Sequence, residues 1–271
     1  MADTEKLLAL SILSDPDAAA LPQPMESGRL PALVSGLSAV HRAHLAAALR
    51  VKYSRPLVIL CPDENTASAI AGDVSALTGE TCTLLSGRDY ALYSADAMSR
   101  GGEQRRINAL AAMMNGGGIT VATAEGLFQR TMPPEVFRRA AFEIDMSASL
   151  APEDVEDALL RCGYSRAEQV EGPGQFSRRG GILDFFSPAY NQPVRVEFWG
   201  DEIDSMGFFD TVTQRRTESI ERCAVVPAAE TLPTLAKGGA TALAAELNRQ
   251  ADRAVKRRAG DTEAVLAAVL R

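Results

Sequence analysis

Between Ala32 and Leu49 the sequence reads ALVSGLSAVHRAHLAAAL, a short apolar strand, a glycine, a tight connection and an Ala/Leu-rich helix. That is the layout of a loop that cradles phosphate. In the working pattern G-x-x-x-x-G-K-[ST], glycines let backbone N–H groups close around the phosphates, the lysine reaches the outer ones and the hydroxyl holds Mg²⁺. Counting from Gly36, the second glycine position is His41, the lysine position Arg42 and the hydroxyl position Ala43. A planar guanidinium does not replace a compact ammonium, and Ala43 offers a metal no oxygen. The loop is therefore read as dead for nucleotide chemistry, with a helix N-terminus left to attract an anion weakly. The same letters also describe an ordinary strand-turn-helix.

Other reactive side chains form no recognisable constellation. Cys61, Cys82, Cys162 and Cys223 include no C-x-x-C and no short spacing, which argues for buried, reduced thiols over a zinc ribbon or a disulfide framework. His41 and His44 share a helix face three residues apart, but no neighbouring acid or thiol completes a tetrahedral metal set. Glu153 and Asp154 fall in a helix first turn, where dipole and capping account for them. Basic pairs at Arg105–Arg106, Arg138–Arg139 and Arg215–Arg216, and the run Lys256 to Arg258, read as solvated or ion-paired faces.

The elements around the loop alternate. LVILC at 57–61 and ITVAT at 119–123 are buried strands and TCTLL at 81–85 is a second short strand, with helices over 62–77, where Pro62 and Asp63 signal the start, and after Ser99 between them. Strands alternating with helices predict a parallel sheet covered on both sides. The character changes near Phe142. One helix, SLAPEDVEDALLRCGY, opens at Ser149 or Pro152 and closes at Gly163, and a run of β segments follows. In VRVEFWGDEID, Val194, Val196 and Phe198 share one face and Arg195, Glu197 and Trp199 the other, with Gly200-Asp201 as the hairpin turn. Gly180 and Gly181 mark a bulge or a close backbone approach. The expected organisation is an α/β domain over 1–141, an α+β domain with an antiparallel sheet over 142–229, and a helical return to the first domain over 230–271, in a chain cut from a longer protein.

With 271 residues, 46% hydrophobic and 23% charged, the chain has room for about two domains. A net charge of −7 argues against a surface given over to nucleic acid. The amino-terminal apolar stretch is too short and too mixed to cross a membrane, so a cytoplasmic protein is expected.

QFSRRGGILDFFSP, followed by PVRVEFWGDEIDSMGFFDTVTQRR and CAVVPAAE, with GYSR upstream, resembles a stretch shared by bacterial transcription-repair coupling factors and the excision-repair protein UvrB. The likeness runs more weakly through LYSADAMSRGGEQRRINALAAMMNGGGITVATAEGLFQR and back to the degenerate loop. UvrB would carry an intact nucleotide loop and a long tyrosine-rich hairpin; here stand His41, Arg42 and Ala43, and only Tyr90 and Tyr93 in a short connection. The resemblance is thus to the amino-terminal module of the coupling factors. It implies a helicase-like parallel-sheet domain of P-loop type with a defunct nucleotide loop, carrying a small inserted domain that binds UvrA and so recruits the excision machinery to stalled RNA polymerase. It implies no catalysis and no cofactor in this chain. ATP, Mg²⁺, RNA polymerase and double-stranded DNA belong to motor and polymerase-binding domains that 271 residues cannot hold.

On matching positions the resemblance assigns UvrA contacts to Arg166 in GYSR and Arg179 before the glycine pair. A further arginine of UvrB falls on Ser177 here, with Arg178 in the adjacent slot but facing away from Arg179 by strand alternation. Phe186 is expected to add an apolar contact beside the arginines. Arginine and aromatic groups suit such a surface because the guanidinium fork pairs with carboxylates while its stem and a ring exclude water. Two rivals remain at this stage, a nucleotide-dependent DNA-processing protein of the UvrB kind and a passive DNA-binding module using the basic pairs.

Overall fold

A computed structural model of the chain describes residues 3–88 and 101–257. The chain divides into two compact units, Met1–Thr131 and Met132–Arg271.

The first unit runs α1 (Asp3–Leu10), a 3₁₀ turn (Ser11–Ser14), α2 (Pro16–Ala19), α3 (Pro22–Glu26), α4 (Ala39–Tyr53), β1 (Leu57–Cys61), α5 (Glu64–Thr78), β2 (Cys82–Leu85), α6 (Gly101–Met114), β3 (Ile119–Thr123) and α7 (Ala124–Phe128). The strands form a parallel sheet of order β1-β3-β2, with Ile119 opposite both Leu57 and Cys82. Alternation along the strands decides which side chains meet which helices. Leu57, Ile59, Cys61, Ile119, Val121, Cys82 and Leu84 pack with Ala43 and Ala47 of α4 and Ala67, Ile70 and Val74 of α5. The alanines let the helix backbones come close. On the other face, Leu85 and Ala122 meet Ala109 and Leu110 of α6. Asp63 caps α5 as its sequence predicts, its carboxylate accepting from the Thr66 N–H at 2.8 Å.

Three expectations need correction in this unit. The apolar run at 32–34 forms no strand: Leu33 is exposed, and β3 already has a neighbour on each side. The described residues do not cover the sheet throughout, because α6 lies over β2 and β3 while Val58 and Leu60 of β1 stay exposed. Arg106 is not on a solvated face; it is buried and donates to the Ser86 carbonyl. The connection holding Tyr90 and Tyr93 lies outside the described residues, as do Arg258 and the terminal DTEAVLAAVLR run.

The second unit runs α8 (Pro134–Ala140), β4 (Phe142–Asp145), α9 (Pro152–Arg161), β5 (Ser165–Arg166), β6 (Gln175–Arg179), β7 (Ile182–Phe185), β8 (Val194–Trp199), β9 (Glu202–Phe209), β10 (Arg216–Ser219), β11 (Arg222–Val225), a 3₁₀ turn (Pro233–Leu235) and α10 (Gly239–Arg257). A six-stranded sheet of order β10-β9-β8-β7-β6-β5 is antiparallel except where β5 joins β6, and β4 pairs with β11. The register places Phe176 opposite Phe185, Leu183 opposite Val196 and Val196 opposite Met206. These side chains and Val194 are buried on one face. At roughly 25 cal/mol per Å² of apolar surface removed from water, burial of this face stabilises the unit. The other face carries Ser177, Arg179, Asp184, Arg195, Glu197 and Ser205.

The β8–β9 hairpin turns at Gly200, φ +64°, as the sequence predicts. The glycine pair divides its work: Gly180 takes φ +61°, while Gly181 lies so close to β8 that a Cβ there would stand 2.7 Å from the Phe198 carbonyl oxygen. The Gly181 carbonyl accepts from the Phe198 N–H at 2.7 Å, so the close approach is itself hydrogen-bonded. Helix α9 begins at Pro152 and is followed by Gly163 at φ +86°. Cys61, Cys162 and Cys223 are buried, and Cys82 is half-buried.

Candidate partner-binding surface

The arginines assigned from sequence divide between the two faces of the six-stranded sheet. Arg166 ends the short edge strand β5; its side chain is 61% exposed, its guanidinium sits 5.8 Å from the Phe176 ring centre, and it ion-pairs with Glu156 of α9. Arg178 on β6 is 25% exposed and turns to the same helix, pairing with Glu153 and reaching Glu156 at 3.6 Å. Its Nε also donates to the Gly180 carbonyl at 3.3 Å. The Arg178 guanidinium holds the Glu153 carboxyl below its ordinary pKa.

Arg179 points to the opposite face, as strand alternation demands. Its side chain is 52% exposed, and Nη2 donates to Asp184 Oδ2 at 2.9 Å. Asp184 is 2% exposed and sits in the apolar run ILDFF. A buried carboxylate needs full compensation. Arg195 supplies it from β8, donating Nε to Oδ1 at 2.7 Å and Nη2 to Oδ2 at 2.8 Å. The Arg195 guanidinium lies 4.5 Å from the Phe209 ring centre and donates to the Gln214 carbonyl and side chain. The Asp184 hydrogen bonds raise the Arg195 pKa further above its usual range.

Phe186 departs from its expected role. It is 8% exposed and clusters with Val170 and Phe209 under the Arg195 side of the sheet. Its ring is core, drawn in because Phe209 and Val170 offer an apolar contact that solvent does not, so it supports the surface from beneath. Ser177, at the position of the third UvrB arginine, is buried with its hydroxyl donating to the Glu168 carbonyl at 2.9 Å.

Glu153, Glu156, Asp184 and Arg195 complete these clusters; the sequence reading explains Glu153 as a first-turn acid and places Arg195 on a strand face, and gives none of the four a part in the surface. One signal was present: an acid inside the apolar run ILDFF must find a cation, and the alternation of VRVEFW puts Arg195 on one defined face.

The degenerate loop is built as a helix cap. Gly36 has φ +80°, Ser38 caps α4 by accepting from the His41 N–H at 3.4 Å, and Arg42 Nε turns back to the Leu37 carbonyl at 3.2 Å. Ala43 is fully buried against the sheet. His41, Arg42 and Ala43 thus lie in the opening turns of α4, where their N–H groups and side chains serve the helix start and the core. His44 Nε2 meets the Leu8 carbonyl at 2.8 Å.

A family model for the UvrB interaction domain matches residues 142–230. Over 208 residues the chain is 33% identical to a transcription-repair-coupling factor of Myxococcus xanthus, covering 73% of this chain and 17% of that protein. The corresponding proteins of Bacillus subtilis and Escherichia coli are 27% and 26% identical over 200 and 199 residues, each again covering 73% of this chain and 17% of the relative. The chain therefore spans 17% of the length of these curated relatives. The arginine clusters of β5, β6 and β8 all lie inside the matched segment, and with it the chain belongs to the transcription-repair-coupling-factor family, its residues 142–230 forming a UvrB interaction domain.

Proposed function

We propose that this chain is a non-catalytic docking module that recruits UvrA to stalled RNA polymerase in transcription-coupled excision repair. The observation that carries the reading is the pair Arg166 and Arg179, half or more exposed on a UvrB interaction domain whose register fixes where each emerges. Exposed guanidinium groups take partner carboxylates in bidentate fashion, here one on each face of the sheet. The first unit is read as a helicase-like domain whose nucleotide loop has been turned into a helix cap, since Ala43 is core and Arg42 is tied to Leu37. ATP, Mg²⁺, double-stranded DNA and RNA polymerase are assigned to other parts of the whole protein. No helix among the described residues is long and apolar enough to cross a membrane, and the module is placed in the cytoplasm with its partners.

The test is calorimetric titration of the chain with purified UvrA, beside a folded Arg166→Ala/Arg179→Ala variant. Saturable binding weakened by about 2–4 kcal/mol in the variant supports the reading; absence of binding by the unmodified chain, or equal binding by the variant, rejects it.

A further inference from the structure

We propose that Asp184 and Arg195 are positioning residues for Arg179, and that this triad makes Arg179 the residue of the set that takes a partner carboxylate. The proposal rests on the docking function above and deepens it.

Charge decides between the two clusters. On the α9 side, Arg166 and Arg178 face Glu153 and Glu156, two cations against two anions. On the other face, Arg216 pairs with Glu197 at 3.2 Å while Arg179 and Arg195 share the carboxylate of Asp184, three cations against two anions. Arg195 alone, bonded to both Asp184 oxygens, already compensates that buried charge. The bond from Arg179 is therefore surplus to burial of the acid, and what it fixes is the exposed guanidinium. Among the described residues Arg179 makes no other side-chain hydrogen bond, so the rest of its fork is left for a ligand.

The support beneath is rigid. Arg195 is stacked on Phe209 and bonded twice to Gln214, and Asp184 is inside the sheet. A long side chain held in place before binding loses less freedom when the partner arrives. Arg166, more exposed and at the end of a two-residue edge strand, is held by Glu156 and the Phe176 ring, but Glu156 is shared with Arg178 and that cluster has no cation in surplus.

A double-mutant cycle tests this with UvrA as the probe. Asp184→Asn is expected to weaken binding about tenfold in the unmodified chain and to change nothing in an Arg179→Ala background, the non-additivity of residues that act through one another. Equal losses in both backgrounds, or no loss in the first, overturn the proposal. A second measurement needs neither UvrA nor the variant: ¹⁵N relaxation at Arg179 Nε should show clearly higher order than at the exposed Arg215. Equal order overturns the positioning claim. Failure of the unmodified chain to bind UvrA rejects the docking function alone, and the relaxation result then decides whether Arg179 is held.

Discussion

Arg166 and Arg178 close on the two oxygens of one carboxylate, that of Glu156, from different strands: Arg166 at Oε1 and Arg178 at Oε2. The acid stands 10 residues before one arginine and 22 before the other in the numbering of the chain, so the arrangement exists only in the folded domain. It gives α9 a second role besides burying Val155 and Leu159. An acidic partner reaching for Arg166 competes with an acid already there.

Glu156→Gln is therefore expected to have opposite effects on two properties. Folding stability should fall by about 0.5–1 kcal/mol, since the pairs are partly solvated, while affinity for UvrA rises as the arginines are released from their internal partner. Urea unfolding and calorimetric titration of the same sample read the two. Unchanged affinity would show that Glu156 does not compete with the partner.

The adjacent glycines Gly180 and Gly181 should respond to alanine for different reasons. At Gly180 the cost is that of φ +61° alone, about 1 kcal/mol, because the space around it is open. At Gly181 the new methyl meets the Phe198 carbonyl oxygen at 2.7 Å, and strand separation must yield, at about 1–3 kcal/mol. Thermal unfolding that ranks Gly181→Ala below Gly180→Ala confirms the close approach; the reverse order contradicts it.

Alkaline pH should destabilise the second unit. Burial pushes the Cys162 thiol up to about 11 and Cys223 up to about 12 from an ordinary 9.0. Above pH 9 the unfolded chain gives up these protons while the folded chain keeps them, so the unfolded state gains and stability falls as pH rises. The decline runs at roughly 1.4 kcal/mol per pH unit for each thiol, from about pH 9 to 11 for Cys162 and to 12 for Cys223, with Tyr164, whose pKa burial also raises, adding to it above pH 10. Cys223→Ala should flatten the slope measured by denaturant unfolding across this range, and an unchanged slope would clear Cys223 of the effect.

Nucleotide should not stabilise the first unit. A ligand that binds only the folded state raises the unfolding midpoint with the logarithm of its concentration above Kd; with Arg42 tied to Leu37 and Ala43 in the core, Mg²⁺ and ATP are expected to leave the midpoint unmoved. A concentration-dependent rise would return the loop to service.

Much of this was legible in the chain letters. The alternation in VRVEFWGDEID gave the hairpin, its turn and its buried face, and Asp63 announced its helix. The apolar run at 32–34 misled because a strand needs a hydrogen-bonding neighbour, and local composition says nothing about whether one is present. Phe186 misled in the same way: an aromatic beside arginines suits an interface or a core, and only Val170 and Phe209 decide which. The Asp184–Arg195 pair was half visible. The buried acid demanded a cation, but its choice of Arg195 over other arginines follows from the β7–β8 register, which pairs the two residues directly.

Strand β1 has a bearing on how the chain behaves in concentrated solution. Among the described residues it is bonded on one side only, to β3, and its outward side chains are Val58 and Leu60. A strand edge with free N–H and C=O groups next to apolar side chains is a template on which another chain can add. Colloidal stability of the purified protein should thus be set at this strand, and a charged residue at position 58 should extend the range of concentrations over which light scattering reports a single species.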